Sequence, residues 1–185
     1  MNNSNTNIGK FLSLILRHNP SVIHITLDEN GWADVEELMT QWNKSEKHEQ
    51  ININKLEHVV NNNNKKRFEF TENNTKIRAR QGHSIKVDLN LDEKIPPEIL
   101  YHGTAKRHIQ SIDKEGLTKQ GRQHVHLSSE IDTAKNVGKR HDKYHEPIIL
   151  KIDALKMQNN GYKFYLSNNG VWLTDIVPSE YINKS

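Results

Sequence analysis

Cysteine is absent from the 185 residues. That excludes disulfides, thiol nucleophiles and thiolate metal sites, and leaves the redox compartment undetermined though compatible with the cytosol. An excess of one charge is also missing: 26 Lys and Arg stand against 23 Asp and Glu, a net charge of +3. This is too small for the whole molecule to coat nucleic acid by charge alone, so any anion site must be local. No apolar run approaches the roughly 20 residues of a membrane helix, and the Asn-rich start has no apolar signal core. A soluble, cytoplasmic, monomeric protein is the expectation. Neither GxGxxG nor a Walker loop occurs, which disfavours a Rossmann or P-loop enzyme. Aromatic residues reach only 6%, but 34% of the chain is apolar, enough for one ordinary core or two small ones. The run Asn61-Asn62-Asn63-Asn64 reads as compositional bias.

The first half has helical period and then changes to strand period. Ile8, Phe11, Leu12, Ile15 and Leu16 line one helix face after a candidate cap at Asn7, and Pro20 ends that helix. Asp28-Glu29-Asn30-Gly31 reads as a turn. Asp34 with Glu37 resembles a capping box before Val35, Leu38, Met39 and Trp42. A third helix near Asn54 would bury Leu56, Val59 and Val60. Residues 67–71 and 76–80 then alternate with period two around a turn, a hairpin signature. Three short helices and a hairpin predict a winged-helix-like lobe over residues 1–91.

Residues 92–97 are charged, end in Pro96-Pro97 and read as a linker. The second lobe, 92–185, reads as α+β. Strands are expected over 100–102, 125–128, 147–153, 163–166 and 171–174, with a helix over 105–115 and another started by Ser129 and Asp132.

Several side chains can carry chemistry. Arg17-His18 closes the first helix, where cations suit the macrodipole whatever else they do. Arg67, Arg78 and Arg80 share the hairpin, and Arg78 and Arg80, two apart, face one side. Converging guanidinium groups match phosphate oxygens, whereas the bland alternative is a wing whose charges stay wet. Arg122 adds a candidate from the second half. In Tyr101-His102-Gly103-Thr104 the glycine would let a ligand approach the backbone. His124 with His126, and His141 with His145, have spacings a metal could use, but no Glu follows His141 as metalloproteases need. Trp32, Trp42 and Trp172 read as core rather than as stacking platforms.

Seven segments in one order carry a resemblance. They are Leu12-Ser13-Leu14-Ile15-Leu16-Arg17-His18-Asn19-Pro20, Asp28-Glu29-Asn30-Gly31-Trp32, Arg67-Phe68-Glu69-Phe70, Ile77-Arg78-Ala79-Arg80-Gln81-Gly82-His83-Ser84, Tyr101-His102-Gly103-Thr104, His124-Val125-His126-Leu127-Ser128 and Gly170-Val171-Trp172-Leu173-Thr174. Together they resemble the RNA 2′-phosphotransferase (KptA) family. The resemblance implies a winged-helix lobe followed by an ADP-ribosyltransferase-like lobe. It implies RNA with an internal 2′-phosphate, such as spliced tRNA, as substrate and NAD as consumed co-substrate. Arg17, His18, Arg67 and Arg122 are then the phosphate-binding and catalytic set, and His102, Gly103, Thr104, His126 and Ser128 hold NAD. Val171 stands where many ADP-ribosyltransferases place a glutamate; a phosphate dianion needs no base to remove a proton. Arg80 stands where the family pattern has Asn. The expectation is a cleft in which Arg17 and Arg122 both reach one anion. Alternatives are an ADP-ribosyltransferase acting on protein or nucleic-acid ends, a non-enzymatic winged-helix NAD sensor, and a metal hydrolase independent of NAD.

Overall fold

The computed structural model describes residues 3–45, 48–140, 142 and 144–184, and the chain divides into two compact units, residues 1–90 and 91–185. Both mix short helices with small sheets, and the class is α+β.

In the first unit α1 (Asn3–Arg17) buries Ile8, Phe11, Leu12, Ile15 and Leu16, the face set by their spacing. The helix starts a turn ahead of Asn7, so Asn7 is an interior residue and not the expected cap. Pro20 opens a single 3-10 turn, Pro20–Ile23, as its fixed φ allows at a helix start. In the following turn the Asp28 carboxylate accepts from the backbone N–H groups of Asn30 (3.1 Å) and Trp32 (2.9 Å), and Gly31 takes φ +78°. Those bonds, with Lys76, hold the Asp28 carboxyl below its usual range against the opposing effect of burial, which is the largest single influence.

β1 (Trp32–Asp34) is a strand that alternation alone did not reveal. α2 (Val35–Asn43) is capped as the Asp34/Glu37 pair predicts, Asp34 Oδ1 accepting from the Glu37 N–H at 2.8 Å. α3 (Ile53–Asn61) is capped by Asn52, which accepts from the Lys55 N–H at 3.0 Å. The hairpin is β2 (Phe68–Phe70) and β3 (Lys76–Ala79), antiparallel with Glu69 opposite Arg78. β1 adds to the other edge of β3 with Trp32 opposite Arg78, giving the order β1-β3-β2. Leu12, Ile15, Leu16, Leu38, Trp42, Leu56, Phe68 and Ile77 make the core, each large apolar side chain contributing roughly 1.5–3 kcal/mol by leaving water.

The second unit holds β4 (Ile99–Thr104), α4 (Ile109–Glu115), β5 (Leu117–Thr118), β6 (Val125–Leu127), α5 (Ile131–Gly138), β7 (Ile148–Asp153), α6 (Ala154–Asn159), β8 (Tyr165–Leu166), β9 (Trp172–Thr174), β10 (Ile176–Val177) and β11 (Ile182–Lys184). Antiparallel sheets run β11-β7-β4 and β6-β9-β8, with β10 beside β5. A bridge between Tyr101 and Ser128 ties β4 to β6, each N–H donating to the other's carbonyl at 2.8 and 2.9 Å.

Three expectations change here. The helix foreseen over 105–115 begins as a separate 3-10 turn, Lys106–His108. Neither Ser129 nor Asp132 caps α5; Glu130 holds the cap position without a side-chain bond. Residues 93 and 94 are not a loose linker: the Lys94 N–H donates to the Phe164 carbonyl at 2.8 Å and Glu93 bridges to Tyr165, since a strand edge with unpaired backbone groups takes a partner.

Candidate active site

Arg17 is the last residue of α1, and the chain returns to it through residues 82–85. The backbone N–H groups of Ser84 and Ile85 donate to the Arg17 carbonyl at 2.9 and 3.4 Å, satisfying a carbonyl that the helix end leaves open. Gly82, at φ +87°, lets the loop lie against the Arg17 guanidinium: a Cβ there would sit 3.5 Å from Nη1. The Phe68 ring lies 5.9 Å from Arg17 Cζ. His18 follows outside the helix, its Nδ1 hydrogen-bonded to Ser84 Oγ at 2.9 Å.

His83, between Gly82 and Ser84, is 1% exposed, and neither ring nitrogen has a hydrogen-bond partner among the described residues. Its pKa falls to about 4, first because burial penalises the charged ring and then because positive charge on Arg17, on His18 when protonated, and on Arg78 repels a second one. His83 is therefore neutral at pH 7. Arg67 precedes β2; its carbonyl accepts from the Arg80 N–H at 2.9 Å and its Nη1 donates to Asn63 Oδ1 at 3.3 Å, while burial lowers its pKa.

Arg78 and Arg80 do share a face, as alternation predicts, but Glu69 meets both. Arg78 Nε donates to Glu69 Oε1 at 2.7 Å, and Arg80 Nε lies 3.3 Å from Oε2. Arg78 also lies 4.4 Å from the Trp32 ring centroid and donates to the Asn30 carbonyl. Trp32 is thus a cation platform rather than core, whereas Trp42 is 1% exposed and Trp172 is buried.

In the second unit His102, His126 and Arg122 form one chain of contacts. His102 Nδ1 donates to the His126 carbonyl at 3.0 Å, which in the neutral ring leaves Nε2 as an acceptor nitrogen. Arg122 Nη1 lies 3.3 Å from His126 Nδ1. His102, His126 and Ser128 are half-buried; Gly103 and Thr104 are buried. Gly103 lacks a side chain for a packing reason: a Cβ there would fall 1.9 Å from the Ala134 carbonyl of α5. Its backbone still bears on binding. In an antiparallel ladder alternate residues point their N–H and C=O to opposite edges. Those of Tyr101 face Ser128, so those of Gly103, two residues on, face the same edge, away from β7.

His124 and His126 meet different groups: the His124 ring meets Tyr165 edge-on at 5.9 Å, and the His126 ring meets Arg122. Burial lowers the His124 pKa, Asp175 opposing it. His145 pairs with Asp142 at 2.9 Å, and His141 lies outside the described residues. No three His, Asp or Glu among the described residues are grouped to hold a metal ion. Val171 sits just before β9, its N–H donating to Ser167 Oγ at 3.1 Å. No helix among the described residues is long and apolar enough to cross a membrane.

Sequence reading assigned no role to Glu69, His83 or Ser84. Glu69 was accessible, because the hairpin register places it opposite Arg78. His83 and Ser84 lie on a loop that returns to the end of α1, Ser84 reaching His18 across 66 residues, and only the fold shows this.

Residues 3–176 match the family described as RNA 2′-phosphotransferase, Tpt1 / KptA family. A probable RNA 2′-phosphotransferase of Fusobacterium nucleatum subsp. nucleatum is 57% identical over 176 residues, covering 95% of this chain and 96% of that one. One from Flavobacterium johnsoniae is 54% identical over 175 residues, covering 95% and 93%. One from Pectobacterium atrosepticum is 45% identical over 185 residues and spans both chains completely. With nearly the whole length of the chain aligned at such identities, it belongs to the RNA 2′-phosphotransferase, Tpt1 / KptA family.

Proposed function

We propose that the protein is an NAD-dependent RNA 2′-phosphotransferase that removes an internal 2′-phosphate from RNA, such as spliced tRNA, and passes it to NAD. We read the first unit as a winged-helix-like lobe handling RNA and phosphate, and the second as an ADP-ribosyltransferase-like lobe handling NAD. The observation that carries this reading is the locked end of α1. There Arg17 is held by Gly82, Phe68 and the 84–85 backbone, and His18 is held by Ser84. A fixed guanidinium and an imidazole suit a dianionic phosphate.

The second unit has groups that fit NAD. His102 Nε2 can accept from a ribose hydroxyl, and the strand-edge N–H and C=O of Gly103 match the donor and acceptor of a carboxamide. Thr104 shapes the end of β4, while His126 and Ser128 border the same strand. When bound, NAD supplies an anomeric carbon carrying nicotinamide, a good leaving group.

In the proposed reaction a 2′-phosphate oxygen bonds to that carbon as the bond to nicotinamide breaks, giving ADP-ribosylated RNA. The adjacent hydroxyl of the transferred ribose then attacks phosphorus and gives up its proton, the bond to the RNA 2′-oxygen breaks, and that oxygen takes a proton in its turn. The products are RNA with a 2′-hydroxyl, nicotinamide and ADP-ribose 1″,2″-cyclic phosphate. Arg17, Arg67 and Arg122 bind phosphate oxygens, and His18 orients phosphate or hydroxyl. Alignment and exclusion of water can lower such barriers by several kcal/mol, up to roughly 7–11 in model systems. Val171 offers no base, consistent with a nucleophile that is already an anion.

The test is turnover of RNA bearing one internal 2′-phosphate, with NAD, by Arg17→Ala, Arg67→Ala and Arg122→Ala. Each is expected to lose about 10²–10³-fold or more in rate while keeping its melting behaviour. Turnover like that of the unsubstituted protein would remove these residues from the site.

A further inference from the structure

We propose that His126 is a positioning residue for Arg122: its imidazole holds the guanidinium in place, a role that rests on the phosphotransferase reading above. Arg122 is exposed and follows a turn in which Gln120 takes φ +52° and the Arg122 N–H donates to the Lys119 carbonyl at 3.0 Å. The turn fixes the backbone of Arg122 but not its long side chain, whose rotamers must be restricted before the group can act repeatedly at one point.

The contact from Arg122 Nη1 to His126 Nδ1, 3.3 Å, supplies that restriction. Guanidinium can only donate, so Nδ1 must present its lone pair, and the neutral ring carries its proton on Nε2. His126 is itself well anchored. It is the middle residue of β6, paired with Leu173 of β9, and its carbonyl accepts from His102 Nδ1. One residue therefore acts in two directions, through the ring on Arg122 and through the backbone on His102. Truncating the side chain removes the first without the second. That separability distinguishes an effect of the ring on Arg122 from one passed through the backbone to His102; a direct contact of the ring with NAD is told apart by the KM for NAD and by the double variant.

The experiment combines kinetics on 2′-phosphorylated RNA and NAD with a nitrogen-15 spectrum of His126. The variants are His126→Ala, His126→Asn, Arg122→Ala and the double substitution of Ala at both positions. His126→Ala is expected to lower kcat about 10- to 100-fold while KM for NAD stays within about twofold. His126→Asn, whose amide oxygen can accept from Arg122, is expected to recover most of the loss. The double variant should be no slower than Arg122→Ala, because two residues acting through one group are non-additive. A raised KM for NAD at unchanged kcat, multiplicative losses in the double variant, or no recovery with Asn overturns the proposal. If the unsubstituted protein does not turn over this RNA, the functional reading fails, and the spectrum judges the pairing separately. An Nε2–H tautomer whose Nδ1 signal moves in Arg122→Ala supports it, and an Nδ1–H tautomer overturns it.

Discussion

His18 Nδ1 and Ser84 Oγ, 66 residues apart in sequence, share a hydrogen bond of 2.9 Å. The same serine sends its backbone N–H to the carbonyl of Arg17, so Ser84 anchors both neighbours at the end of α1. Removing its hydroxyl leaves the backbone bond in place and takes away only the bond to the imidazole. A typical hydrogen bond contributes about 0.5–1.5 kcal/mol. Ser84→Ala is therefore expected to slow turnover roughly 3- to 10-fold, less than His18→Ala, with stability little changed. Single-turnover rates for the two variants check this; equal and severe losses would mean that Ser84 does more than orient His18.

His83 ties the stability of the first unit to pH. Its native pKa of about 4 lies below the 6.5 of the unfolded chain, so the unfolded state takes up the proton first. The stability from its neutral burial is fully present above pH 6.5 and is lost as pH falls toward 4. The size is about 3 kcal/mol by linkage. Denaturant unfolding at a series of pH values should show this decline, and His83→Phe should flatten it between pH 6.5 and 4. A decline of the same size in the Phe variant would assign it to other groups.

Glu69 is the carboxylate that two arginines share, and its side chain is 13% exposed. Neutralising it leaves Arg78 and Arg80 side by side without an anion. Glu69→Gln is expected to cost about 2 kcal/mol, below the 3–5 seen when fully buried pairs are broken, because water still reaches these groups. Arg80→Asn, which keeps the shorter Arg78 contact, should cost under about 1 kcal/mol. Equilibrium unfolding of both variants decides the ranking; a larger loss for Arg80→Asn would contradict it.

Gly103 is required by α5. Adding a methyl group there meets the Ala134 carbonyl, a backbone atom that no rotamer change can move. Gly103→Ala should cost about 1–3 kcal/mol or more. Gly121→Ala, with nothing within 4 Å of the new atom, should stay within about 0.5 kcal/mol. Thermal melting of the two variants separates them, and a Gly103→Ala protein as stable as the parent would show that the strand and helix pack otherwise.

The helices of the first unit were legible because their physics is local. The spacing of Phe11, Leu12 and Ile15, the Asp34 cap three residues ahead of Glu37, and the alternation in Arg67-Phe68-Glu69-Phe70 each lie within one turn or strand. β1 was not legible: three residues, Trp32-Ala33-Asp34, are too few for a pattern, and β3 decides their conformation. The start of α1 was misplaced because Asn3, Ser4, Asn5, Thr6 and Asn7 are all cap-type residues and local propensity does not choose among them. At the site, Arg17-His18 and the Tyr101-His102-Gly103-Thr104 strand could be singled out by residue type. What holds them could not. Ser84 beneath His18, Glu69 between two arginines and α5 against Gly103 are long-range contacts that no local period encodes.

The central claim is that phosphate removal and nicotinamide release are one coupled process. It is tested most directly by following both at once with 2′-phosphorylated RNA and its 2′-hydroxyl twin, each with and without NAD. Phosphate is expected to leave the RNA, and nicotinamide to be released, only when the 2′-phosphate and NAD are both present. Loss of the 2′-phosphate without NAD, or nicotinamide release at the same rate from the 2′-hydroxyl RNA, would contradict it.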